Sequence, residues 1–67
     1  LWDQILISGN NFDGGVDGIN ISGSLTVAAI NGNVFNNVTD AIDNTASFSG
    51  NYRQVGNVSS SEVIVDV

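Results

Sequence analysis

The chain has 67 residues, one basic side chain (Arg53) against seven acidic ones, a net charge of −6, and neither cysteine nor histidine. That balance excludes a disulfide framework and a Cys/His zinc site, deprives nucleic-acid binding of the cations that replace phosphate counterions, and removes attraction to an anionic membrane. A hydrophobic content of 42% argues against disorder, but a single domain of this size buries only about 60% of its unfolded surface, so help is expected from neighbouring coils or subunits.

Beginning at Leu1 rather than Met, the chain reads as a segment of a longer protein, one domain over residues 1–67. Trp2 is expected to cap the open end of a stack or to pack on a preceding coil, sooner than to hold a sugar. Ile5-Leu6-Ile7 is the first short apolar group, and Gly9-Asn10-Asn11 closes it. Asp13-Gly14-Gly15-Val16-Asp17-Gly18 reads as a solvated turn between strands. Its carboxylates would suit calcium, but the EF-hand spacing and its final Glu are missing.

Ile19, Ile21 and Gly23 share one face by period two, and Leu25, Val27 and Ala29 do the same further on. Val38-Thr39-Asp40-Ala41-Ile42 is too short and too β-branched for a helix. Asp40 and Asp43 could form the carboxylate pair that glycoside hydrolysis needs, but they lie on a short loop or strand end, and a structural reading is preferred. Val63, Val65 and Val67 alternate with Ile64 and Asp66 at the end. Short apolar groups bounded by Gly/Asn clusters predict strands throughout. No apolar run approaches the about 20 residues of a membrane span. Three matches to the glycosylation sequon, at Asn20, Asn37 and Asn57, are expected by chance at this Asn and Ser content.

A unit of apolar residue, Ser or Asn, Gly and Asn comes round three times: Ile7-Ser8-Gly9-Asn10, Ile30-Asn31-Gly32-Asn33 and Phe48-Ser49-Gly50-Asn51. An aromatic follows each: Phe12, Phe35 and Tyr52. The glycines are 23 and then 18 residues apart, too close for each copy to close its own core, so the copies must stack. Repeat-like units fall at about 5–27, 28–47 and 48–67. Gly9, Gly32 and Gly50 are expected at positive φ or at corners a Cβ would obstruct. Asn10, Asn33 and Asn51 are expected to form an amide ladder, and Phe12, Phe35 and Tyr52 an aromatic one. In the third copy the aromatic comes one residue early, so either the register slips there or Tyr52 faces out.

Two all-β readings compete. Antiparallel hairpins would use Asn31-Gly32 as a type I′ turn. A parallel coil would return each Gly-Asn to the same place, about 4.8 Å above the last, and the recurrence favours it.

The pattern Gly-Asn-x-Phe, then Val38-Thr39-Asp40-Ala41-Ile42, then the next Gly-Asn, resembles the right-handed parallel β-helix of the pectate-lyase-like superfamily. Ser49-Gly50-Asn51-Tyr52-Arg53-Gln54-Val55-Gly56-Asn57, with its Ser-rich sequel, resembles coils of tail-fibre and tailspike proteins of tailed bacteriophages. The resemblance covers about residues 5–58. It implies about three rungs, a virion location, other virion subunits or a homotrimer as partners, and a face for host-surface polysaccharide. It transfers no catalytic residue, cofactor or metal. A polysaccharide depolymerase fragment and a secreted or cell-surface bacterial adhesin are the alternatives.

Overall fold

A computed structural model describes residues 4–67. The described residues are all β and contain no helix. In chain order the strands are β1 (Gln4–Ser8), β2 (Asn11–Ile21), β3 (Ser24–Leu25), β4 (Val27–Asn31), β5 (Val34–Asn44), β6 (Ser47–Phe48), β7 (Tyr52–Val55) and β8 (Val58–Ser59). They form three sheets, ordered β1-β4-β7, β2-β5-β8 and β3-β6, and every strand pair is parallel. The chain visits the three sheets in the same order twice and begins a third pass. Hairpins are therefore ruled out. Asn31-Gly32 joins β4 to β5, which lie in different sheets and never pair.

The register gives the period. Ile5 stands opposite Ala28, Phe12 opposite Phe35 and Ser24 opposite Ser47, each a step of 23 residues. The next step is 24: Ala28 faces Tyr52 and Val34 faces Val58. One residue is thus added between Phe48 and Tyr52, where Ser49-Gly50-Asn51 occupies the place that Thr26-Val27 fills one pass earlier. The observed passes are β1–β3 (residues 4–25), β4–β6 (27–48) and β7–β8 (52–59).

Two of the strands run for eleven residues and are bent rather than straight. In β5 the buried residues Phe35, Val38 and Ala41 come at intervals of three, which neither a flat strand nor a helix would give. The bend sits at Asn37, the one non-glycine at positive φ (58°) among the described residues, and on the pass below the same place is Gly14 (φ 84°). Asn is among the few side chains that tolerate this left-handed conformation. The predicted turn at residues 13–18 is accordingly an internal bend of β2.

The core lies between the sheets and comprises Ile19, Ile21, Ile30, Phe35, Val38 and Ala41, with Ile5, Ile7, Phe12 and Ile64 packed partly buried around it. Phe35 and Ile30 have no exposed surface, and burial of such side chains contributes about 1.5–3 kcal/mol each. The Phe12 and Phe35 rings stack at 4.9 Å and 7°. Gly18 makes room for this: a Cβ there would lie 2.5 Å from the Phe35 ring and 2.7 Å from the Ala41 carbonyl.

Candidate functional site

The feature with the most defined chemistry is a column of asparagines at the corner between the first two sheets. Its members are Asn10, Asn33 and Asn57. Asn10 donates its backbone N–H to Asn33 Oδ1 at 2.9 Å and its side-chain amide to the same oxygen at 3.3 Å. Asn33 repeats the pattern toward Asn57 Oδ1, with both distances 3.0 Å. The Asn33 amide also donates to the Ile7 carbonyl at 3.1 Å, and the Asn57 amide to the Ile30 carbonyl at 2.8 Å.

Asn33 is 0% exposed and Asn57 4%. A buried amide without partners costs about 1–3 kcal/mol, and among the described residues every buried side-chain nitrogen and oxygen is partnered. The glycine before each Asn makes the corner possible: Gly9, Gly32 and Gly56 have φ of 67°, 64° and 68°.

The third member of the column is therefore Gly56-Asn57, and not Gly50-Asn51. Gly50 lies beside the chain below, its N–H donating to the Thr26 carbonyl at 2.8 Å. It is obstructed rather than left-handed, since a Cβ would come 2.7 Å from that carbonyl oxygen. Asn51 is exposed, and its carbonyl accepts from Ala28 N–H at 3.1 Å. Tyr52 pairs with Ala28 and faces inward, its ring 5.1 Å from Phe48, so it does not continue the Phe12–Phe35 stack. Ser59 takes that third place instead. Of the two outcomes left open at the third copy, the register slips and Tyr52 stays inside. The signal for Asn57 was in the sequence: Val55-Gly56-Asn57 repeats apolar residue, Gly and Asn at a spacing of 24 from Gly32. Tyr52 immediately after Asn51 makes Gly50-Asn51 mimic the same motif.

The acidic candidates are dispersed. Asp17 faces Asp40 across β2 and β5, while Asp43 faces Asn20. Asn20 donates to Asp17 Oδ2 at 3.3 Å, and Asn36 to Asp13 Oδ1 at 3.5 Å. Among the described residues no three Asp, Glu, His or Cys side chains converge for a metal. The Tyr52 phenol has its pKa raised above the usual 10.0 by burial, with a hydrogen bond from Asn44 pulling the other way.

On the outer face of the first sheet Leu6, Ala29 and Arg53 lie in one row across β1, β4 and β7, flanking a shallow groove with Val27 and Asn51. It sets the only cation of the chain beside an apolar strip. Trp2 lies outside the described residues. The chain matches no family model, no curated protein and no solved structure.

Proposed function

We propose that the chain is a short right-handed parallel β-helix of about three rungs, and that its work is mechanical: a rigid structural segment of a tailed-phage virion appendage, a tail fibre, tailspike or related tail protein. The observation that carries the structural part is Asn33, held between Asn10 and Asn57 by paired hydrogen bonds above and below. Such a column runs along the stacking direction, as do the backbone ladders of all three sheets. Bending the stack would have to break many of these bonds together, which suits a load-bearing or protease-exposed element.

Right-handedness follows the strong preference for right-handed crossovers between parallel strands. Placement on a virion rests on the resemblance of the Gly-Asn coils and of the stretch 49–57 to tail proteins. Other virion subunits, or two further copies in a homotrimer, are the proposed partners. The row Leu6, Ala29 and Arg53 is the surface proposed to meet host polysaccharide, since a cation beside an apolar strip suits sugar hydroxyls or an acidic sugar. No catalytic role is proposed for any residue.

Immuno-electron microscopy of phage particles with an antibody against the chain is the test. Label on the tail or its fibres is the expected result. Label only on bacterial surfaces would contradict the virion reading and favour an adhesin. Release of reducing ends from surface polysaccharide by the chain itself would favour a depolymerase.

A further inference from the structure

Residues 60–67 leave the strand pattern and fold over the upper edge of the stack, and their polar groups take positions that a further pass would fill. In the lower passes, Gly9 N–H donates up to Asn31 and Gly32 N–H up to Val55. The matching donor on the third pass, Gly56 N–H, goes instead to the Asp66 side chain at 2.9 Å. Gln54 exchanges both backbone hydrogen bonds with Val67 at 3.3 and 2.9 Å, and its side-chain amide donates to the Val65 carbonyl. The segment thus runs back antiparallel along β7.

Over β5, which β8 covers only as far as Phe35, side chains substitute for backbone. Ser60 Oγ accepts from Asn37 N–H, Ser61 Oγ donates to the Val38 carbonyl, and Glu62 Oε1 accepts from Ala41 N–H at 2.7 Å. Ile64 packs against the core from the same segment.

At the lower end, among the described residues, nothing pairs with the outer edges of β1, β2 or β3. The two ends are complementary. Among the described residues, Asn10 Oδ1 accepts no hydrogen bond at the bottom, and Asn57 N–H, which by the repeat points to the next level, donates none at the top. By the same register, carbonyls of Leu6 and Ser8 on a second copy would meet Gln54 and Gly56 N–H, the donors that Val67 and Asp66 now occupy.

We propose that residues 60–67 are a cap that prevents a second copy of this chain from joining head to tail, its β1 edge on the β7 edge of the first. The contact is heterologous and does not close, so uncapping produces open-ended growth. This inference needs the parallel register and not the virion reading.

The test uses the 67-residue chain. A triple variant, Glu62→Ala with Asp66→Ala and Val67→Pro, detaches the cap. Leu6→Pro blocks the lower edge: alternation along β1 points the Leu6 N–H away from β4, so proline removes no bond within one chain. Sedimentation and circular dichroism are read across a concentration series.

The unaltered chain and the Leu6→Pro chain should each hold one fixed mass. The triple variant should grow with concentration to at least about twice that mass, with a fibre spacing of about 4.8 Å. Adding Leu6→Pro to it should abolish the growth. A folded triple variant of constant mass would overturn the proposal, as would growth that Leu6→Pro leaves unchanged. Loss of the β spectrum in the triple variant would overturn it too, making the segment part of the folding core.

Discussion

Asn57 Oδ1 accepts two hydrogen bonds from Asn33, one from its backbone N–H and one from its side-chain amide, both at 3.0 Å. The two residues are 24 apart in sequence, and Asn33 spends all of its polar capacity on neighbours above and below.

Asn33→Ala leaves the Asn10 N–H without its acceptor and takes the side-chain donor away from Asn57 Oδ1 and the Ile7 carbonyl, while the residue 33 N–H still reaches Asn57 Oδ1, and should destabilise by about 1–3 kcal/mol. Asn51→Ala removes an exposed side chain and should change stability by less than about 0.5 kcal/mol. Urea unfolding of both variants checks this; equal costs would mean that Asn51 belongs to the column.

Gly18→Ala should cost about 1–3 kcal/mol. The added methyl meets a fully buried ring and a backbone oxygen, neither of which can move far. Near-ultraviolet spectra and thermal melts would report it, together with a loosened Phe12–Phe35 stack. A neutral substitution would mean that the stack is not as tight as described.

Asn37→Val should cost about 1–2 kcal/mol through its left-handed backbone, whereas Asn37→Gly should be tolerated because the equivalent position one pass below is Gly14. Chemical denaturation separates the two. The reverse order would place no bend at Asn37.

Raising the pH tests Tyr52. Burial holds its pKa above 10.0, so the folded chain keeps this proton where the unfolded chain has lost it. Its contribution is fully present below the unfolded value and is lost as pH rises through the folded one. Stability should fall above about pH 10, and Tyr52→Phe should flatten that decline. An identical alkaline slope in the variant would assign it to another group.

Much of this architecture was legible. Gly9-Asn10 and Gly32-Asn33 mark one corner at a spacing of 23, and the Phe12–Phe35 pair falls on the same register. The third corner was misplaced because an aromatic beside Gly50-Asn51 mimics the motif. Spacing is what separates Gly50-Asn51 from Gly56-Asn57: Gly56 lies 24 residues beyond Gly32, next to the first step of 23, whereas Gly50 lies only 18 beyond.

The bend at Asn37 was hidden for a different reason. A single left-handed residue resets the alternation between Phe35 and Val38, so period two is broken within the strand. The alternation of Val63 to Val67 suggested a strand of the stack, yet this segment crosses the upper edge and is fixed by Glu62, Ile64 and Asp66.

The register between Asn33 and its upper neighbour tests the central claim most directly, by long-range NOEs in the labelled 67-residue chain. Contacts from the Asn33 amide to Asn57, with Asn31 beside Val55 and the spacing pattern of parallel strands, are predicted. Contacts from Asn33 to Asn51, or close Hα–Hα pairs between strands as antiparallel ladders give, would contradict it.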